Sequence, residues 1–479
     1  MTLFDTRKSG ADRVFSQVPP SSALEHDFPV GLIGVVAEQE SWRKEVHRPA
    51  THTHKWWAQR LGTVFRGLLT SAVTISAEEA SAAYSGSSRL QGLVVFDPFA
   101  GSGTTLAEAR KLGATVVGRD INPVATLVQR QALSTWKRSS LDQAFEQVER
   151  ACRRQIDSIH VASTGETVLY YFWVSVGFCS ECREEVELFN SHVFAQHAYQ
   201  KRHPRAQASC PTCHAVVPIE LGTDDKVACD ACGGVHSLEG PVRGQIMTCR
   251  QGHRTKVVDA LEGRRPTMRM YAKLVLGRDG SKRYEGIDQF DRDLYEDTGP
   301  MLEAERSTLV LPIGSLDDGY NTRQALRWGY REWSDFFNNR QLLSLGLLGR
   351  AIRDLECDPS HREAMATLFS GILEFNNLFC SFKGEGTGAV RHMFSHHVLK
   401  PERTPLEAHP WGTSASSGSF STLYRSRLLR ALEYKETPHD IVVESGKPTR
   451  QSGLSRPLGG EIVDAWRVIQ NSGNRSTGP

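Results

Sequence analysis

Residues 93–120 hold the pattern that most restricts what this chain can fold into. Residues 93–96 (Leu-Val-Val-Phe) are a short apolar run, the right length for a buried parallel strand, and they end at Asp97-Pro98. A turn carrying Gly101 and Gly103 follows and opens a helix expected over residues 106–112. Gly113 stands where a helix stops, because glycine takes the left-handed conformation there without a side-chain clash. A second strand is expected over 114–118, with the carboxylate of Asp120 just beyond it. Parallel strands joined through a helix make a β-α-β unit. With a glycine turn after the first strand and an acid after the second, such a unit suits a nucleoside-bearing cofactor. The small residues let backbone approach the ligand, and the carboxylate accepts hydrogen bonds from ribose hydroxyls.

The details of the turn narrow the cofactor. A dinucleotide turn carries a third glycine, which Gly101-Ser102-Gly103-Thr104-Thr105-Leu106 lacks. A phosphate-cradling loop follows its glycine with lysine, and none follows here. S-adenosylmethionine has no phosphate and requires neither. The run Asp97-Pro98-Phe99-Ala100-Gly101-Ser102-Gly103-Thr104-Thr105, followed by Gly118-Arg119-Asp120-Ile121-Asn122-Pro123, resembles the cofactor-binding motifs of amino-methylating DNA methyltransferases, which act on adenine N6 or cytosine N4. The resemblance implies an α/β, Rossmann-like core that binds S-adenosylmethionine through Asp97, Pro98, Phe99, Ala100, Gly101, Ser102, Gly103, Thr104, Thr105 and Asn122. It puts Asp120 on the ribose, the role this carboxylate is expected to play; the other reading is a cap on the next helix, expected over 124–133.

Upstream, His54-Lys55-Trp56-Trp57-Ala58-Gln59-Arg60 resembles the segment that packs beside the cofactor in a zinc-containing, adenine-specific subgroup of that family. That likeness adds Trp56 and Trp57 to the cofactor site, where aromatic faces suit an adenosine or methionine moiety. The other reading of the two tryptophans is an anchor between a helix and the sheet. His52 and His54 have no acidic or thiol neighbour in sequence and are read as loop residues.

The second strong signal is cysteine spacing. Cys179 and Cys182, Cys210 and Cys213, and Cys229 and Cys232 form three pairs with two intervening residues, and Cys249 is followed four positions on by His253. That spacing lets both thiolates of a knuckle reach one tetrahedral ion, and two knuckles close a structural site. Two zinc ions are expected. Taken in sequence order, one site pairs Cys179 and Cys182 with Cys210 and Cys213. The other pairs Cys229 and Cys232 with Cys249 and His253, with His236 as a competitor for the last place. The ions would staple a region with little core of its own. Cys152, Cys357 and Cys380 are left as free thiols.

Composition limits the remaining classes. A net charge of +2 over 479 residues offers no global attraction to nucleic acid, so any basic surface is local. Lys201, Arg202 and Arg205, and a hairpin expected over 267–276 with Arg269 and Lys273 on one face, are the candidates for touching DNA. The N-terminus has no apolar segment of a signal peptide, and no run approaches the roughly 18–20 apolar residues of a membrane span. A soluble, cytoplasmic protein is expected.

One part of the resemblance is missing. The family places an Asp/Asn/Ser-Pro-Pro-Tyr/Phe/Trp motif on a later strand, where it accepts protons from the base amine and stacks on the flipped base. The sole Pro-Pro here is Pro19-Pro20, between Val18 and Ser21, and Asn376-Asn377-Leu378-Phe379 lacks the prolines. Cytosine C5 chemistry fares no better, since no Pro-Cys occurs. The expected organisation is a loose lead-in over 1–30 and a cofactor-binding portion over 31–174. A double zinc ribbon with its hairpin follows over 175–285, then a linker near 312–324, a helical region over 325–411 and a Ser/Gly/Arg-rich tail over 412–479. Functionally this reads as a DNA amino-methyltransferase, adenine N6 before cytosine N4, or its cofactor-binding and recognition portion. A second polypeptide, a split gene or a truncation would account for the missing motif. The rival is a non-catalytic zinc-ribbon DNA-binding subunit whose Rossmann part is a scaffold; RNA is a further substrate class.

Overall fold

The computed structural model describes residues 13–463 apart from Thr387 and His397, and the chain divides into two compact units. One takes in the chain up to Phe145, Glu356–Gly371 and the part from Tyr424; the other comprises Glu146–Leu355 and Ile372–Leu423.

In the first unit, α1 (Val30–Trp42) and α2 (Gly62–Ala72) precede β1 (Val94–Asp97), α3 (Thr104–Lys111), β2 (Thr115–Gly118) and α4 (Pro123–Leu133). β1 and β2 pair in parallel, with Val94 opposite Thr115 and Asp97 opposite Gly118. Val95 and Val116 pack against Ala109 and Leu112 at the α3 side, so the β-α-β unit forms as the periodicity requires. The expected burial of β1 does not hold. Val94 and Phe96 are 64% and 59% exposed. The reason is that, among the described residues, β1 pairs with β2 alone and nothing covers the Val94–Phe96 side of this two-stranded sheet.

Three of the expected boundaries are corrected. The lead-in is partly ordered: Arg13–Phe15 pairs in parallel with Ser88–Leu90, and Ala23 is fully buried; residues 1–12 lie outside the described residues. The Ser/Gly/Arg-rich stretch from 412 is folded as far as Ser452. Arg430–Glu436 is helical, and His439–Glu444 pairs with Lys447–Ser452. Ile441 and Val443 of that hairpin pack with Leu32, Ile33, Val36 and Tyr84, because alternation drives the two apolar residues to one face whatever the composition around them. Residues 464–479 lie outside the described residues. The cofactor-binding portion is therefore not the continuous span 31–174: it gives up 146–174 and gains two later segments.

The second unit is built on β3 (Thr167–Phe178). β4 (Val242–Arg243), β5 (Ile246–Thr248) and β6 (Arg254–Lys256) form one of its sheets, and β3 joins β7 (Thr267–Leu276), β8 (Lys282–Gly286) and β9 (Leu406–Ala408) in a larger one. The larger runs β8-β7-β3-β9, with Glu185–Glu187 pairing the end of β3. Tyr170, Phe172, Val174, Tyr271 and Leu274 fill its core. The expected hairpin exists, with Leu276 opposite Lys282, but its basic face does not. β7 is an interior strand buried on both sides, so Lys273 is inside with its Nζ 2.6 Å from Asp291. Arg269 is held by Glu185 and Glu187 at 2.9 and 2.7 Å. α5 (Asn339–Arg353) starts at an Asn338 cap whose side chain accepts from Gln341 N–H at 2.8 Å. The helical region expected over 325–411 holds in part: Pro359–Ile372 is helical, and the chain onward to β9 runs as loops, short strands and one 3-10 turn.

Candidate functional site

The glycine turn is pinned from three directions within the first unit. Gly101 N–H donates to Asp120 Oδ2 at 2.9 Å, its carbonyl accepts from Gln129 Nε2 at 2.9 Å, and Ala100 N–H donates to the Arg119 carbonyl at 3.0 Å. Gly101 and Gly103 sit at φ of +51° and +83°, a region that L side chains rarely enter. A Cβ at 101 would come within 3.0 Å of the Trp56 indole nitrogen, so Trp56 lies directly beside the turn. At Gly103 it would meet Gln129 Cγ at 3.1 Å. Asp97, the last residue of β1, accepts from Phe99 N–H at 3.0 Å and so turns the chain away from the strand.

Asp120 does not cap α4, and both of its carboxylate oxygens take backbone donors. Its Oδ1 accepts from Asn122 N–H at 2.9 Å while Oδ2 holds Gly101. A carboxylate offers about four lone-pair sites, so two backbone bonds leave capacity for hydroxyl donors. The remaining expected residues divide. Ser102 and Thr104 are buried at the start of α3, Ala100 is buried beneath the turn, and Thr105 is half-buried. Pro98 is exposed, and Phe99 is 87% exposed beyond the turn. Asn122 caps α4, its Oδ1 accepting from Val124 N–H at 2.9 Å. Trp57 is 47% exposed with Lys55 Nζ 4.8 Å over its ring, so only one of the two tryptophans is placed at the turn by a close approach. Sequence reasoning missed Gln129, which lies mid-helix on α4 with no motif to mark it. A bare glycine turn, an aromatic wall and an acid with spare acceptors fit an adenosine-bearing ligand that carries no phosphate.

In the second unit, all eight expected ligands gather into two groups of four, but not in sequence order. Cys179, Cys182, Cys249 and His253 form one group; Cys210, Cys213, Cys229 and Cys232 form the other. The pairing by neighbouring knuckles is thus corrected to a nested one. The physical reason lies in the cores: Cys179, Val186 and Leu188 pack with Val242, Met247, Cys249 and Val257. The segment between them closes on its own small core of Ala206, Ala208, Ile219, Val227 and Leu238. Identical two-residue spacings carry no label for their partners.

Each group could hold a metal ion, its four ligand atoms all lying within 4.8 Å of one another. Cys182 and Cys249 sulfurs are 3.8 Å apart, Cys210 and Cys232 3.7 Å, and Cys213 and Cys229 3.5 Å. A tetrahedron with Zn–S bonds of about 2.3 Å has edges of about 3.8 Å, so zinc fits both. Backbone favours one thiolate in each group. The N–H of Cys182, with that of Glu181, holds the Cys179 thiol down at about 6, and the N–H of Cys232 acts likewise on Cys229, at about 7. Arg183, His214 and Gly233 follow the three two-residue knuckles at positive φ, and only the glycine is legible in sequence. His236 Nε2 stands 3.8 Å from the Cys232 sulfur, outside both groups.

No substitute for the missing proline motif emerges among the described residues. Asn376 and Asn377 are buried and donate to the carbonyls of Ile372 and Leu373, while Phe379 stacks on Phe336. His54 Nε2 lies 3.0 Å from Ser370 Oγ, and His52 Nδ1 lies 2.8 Å from the Arg48 carbonyl it would donate to; neither joins a ligand group among the described residues.

No curated protein and no solved structure matches the chain. The N6_N4_Mtase family model, described as DNA methylase, matches residues 73–128, from the end of α2 through β1, the glycine turn, α3 and β2 into α4. The chain is thus similar to the DNA methylase family over the β-α-β unit that carries its candidate cofactor site, which supports a DNA methyltransferase.

Proposed function

We propose that the chain is the cofactor-binding and target-recognition part of an S-adenosylmethionine-dependent DNA amino-methyltransferase, acting on adenine N6 in preference to cytosine N4. The observation that carries this reading is the Asp120 carboxylate drawn onto the glycine turn at Gly101, beside Trp56, inside the segment similar to DNA methylases. S-adenosylmethionine, when bound, supplies the methyl group to the exocyclic amine. The chain's own contribution is positioning. Asp120 accepts from ribose hydroxyls with the lone pairs its backbone bonds leave. Trp56 walls the pocket, and Gly101 and Gly103 keep backbone within reach. Two structural zinc ions, one in each group of four ligands, hold the ribbons.

An acceptor for the amine protons is still required, and we assign it to a second polypeptide. The open edge of β1, with Val94 and Phe96 exposed beside the turn, leaves room for a further strand. A second reading has support from the same place: a two-stranded core with no acceptor motif also suits a non-catalytic zinc-ribbon DNA-binding subunit.

Calorimetric titration of S-adenosylmethionine into the full chain separates the two. Saturable binding is expected, lost in Asp120→Ala and weakened in Asp120→Asn, which keeps an acceptor for Gly101 but loses the charge. A zinc-loaded wild type that takes up no S-adenosylmethionine would overturn a self-sufficient cofactor site and favour the scaffold.

A further inference from the structure

The three-stranded antiparallel sheet β4-β5-β6 sorts its side chains by register. Val242 lies opposite Met247 and Met247 opposite Thr255, and these face inward onto Cys179 and Cys249. On the other face Arg243 stands opposite Ile246, Ile246 opposite Lys256, and Thr248 opposite Arg254. Arg243, Thr248, Arg254 and Lys256 are exposed and Ile246 is half-buried. This outer face thus carries three cations and no carboxylate.

The surrounding acids are engaged elsewhere. Glu181 faces His253, Glu184 faces Arg250, Glu262 pairs with Arg183, and Glu185 and Glu187 hold Arg269. Glu239, outside the sheet, reaches Arg243. Arg254 and Lys256 have no ion pair recorded among the described residues. Two residues apart on one strand, they stand about 7 Å apart, a separation close to that of successive phosphates along one strand of a nucleic acid. Thr248 and Ile246, opposite Arg254 and Lys256 on β5, add no charge to this face. The hairpin β7-β8, by contrast, keeps Lys273 inside and Arg269 neutralised.

We propose that the outer face of β4-β5-β6 binds the phosphate backbone of duplex DNA through Arg254 and Lys256, Arg243 being held by Glu239. It would orient the substrate without reading its sequence. The proposal rests on DNA being the substrate and adds where the chain grips it.

The test uses the full zinc-loaded chain and a labelled duplex of arbitrary sequence, with affinity measured by anisotropy over a series of NaCl concentrations. Each phosphate contact contributes about 0.9 to the slope of log K against log salt, so Arg254→Gln/Lys256→Gln should lower that slope by about 1.8. Zinc content should be unchanged, and Arg269→Gln should leave the slope alone. Independently, Lys256 of the wild type should be protected from amine acetylation when duplex is bound, a readout that needs no variant. Unchanged slope or an unprotected Lys256, with duplex bound, would overturn the proposal. The same losses on single-stranded RNA but not on duplex DNA would overturn its choice of partner. A wild type that binds S-adenosylmethionine but no duplex at all would instead sink the DNA reading on which the proposal stands.

Discussion

Asp440 is fully buried between three cations of the first unit. Lys111 Nζ and Arg48 Nη2 lie 2.6 and 3.2 Å from its Oδ1, Arg66 Nη1 lies 3.5 Å from its Oδ2, and Ser455 Oγ donates to Oδ2 at 2.5 Å. Glu108 answers Arg48 and Lys111 at 2.8 Å each, and Glu40 accepts from the N–H groups of Gly62 and Thr63 at the start of α2. Burial alone would push the Asp440 carboxyl up, but Arg66, Lys111 and Arg48 outweigh it and hold it far below the ordinary range. Removing one member of such a set strands the others, so Asp440→Asn should cost about 3–5 kcal/mol in denaturant unfolding. The sign with pH follows from the depressed value. The stabilisation is whole above the unfolded carboxyl near about pH 4 and fades as pH falls below it, so the gap between wild type and variant should narrow only in acid. An equal gap at every pH would show that the charge is not what matters. None of this was legible: Asp440 stands in a stretch whose composition read as a tail, and an ion network joining positions 48, 111 and 440 has no local pattern. Asp120 was legible because both of its partners, Gly101 and Asn122, belong to one local motif.

Among elements, the zinc knuckles show how far spacing reaches. Two residues between cysteines fix the knuckle, because that is the loop that brings two sulfurs to one ion. Which knuckles share an ion depends on the sheets that carry them. The nested arrangement makes a countable prediction. Cys179→Ser/Cys249→Ser strikes one group and should retain about one zinc per chain, whereas Cys179→Ser/Cys210→Ser strikes both and should retain about none, by metal analysis of the purified protein. Contiguous pairing would give the reverse. The strands behave similarly. β1 and β7 were both identifiable, yet their exposures were inverted relative to expectation: among the described residues β1 has β2 as its one neighbour and is open, while β7 is enclosed by β3 and β8. Burial of a strand is set by what pairs with and covers it, which its own residues do not encode.

For the whole molecule, the two units rest on different stabilisers. The unit with the glycine turn has its ion network and apolar clusters, and no ligand group of the metal type among its described residues; the other carries both groups. Chelation with a strong zinc ligand should therefore lower one thermal transition and leave the other, followed by calorimetry, with the surviving transition still raised by S-adenosylmethionine. A single transition that shifts as a whole would contradict independent stabilisation. No described helix is long and apolar enough to cross a membrane, in line with the hydropathy. The sequence by itself determined the β-α-β unit, its glycine turn and Asp120, the eight clustered ligands and the missing proline motif, because each is set by bonds or spacings within a few residues. Only the tertiary structure decided the nested ligand pairing, the return of residues 424–452 to the first unit, the inward Lys273 and the open edge of β1. Those follow from which surfaces meet across hundreds of residues, where burial and charge compensation are settled by neighbours that no local pattern names.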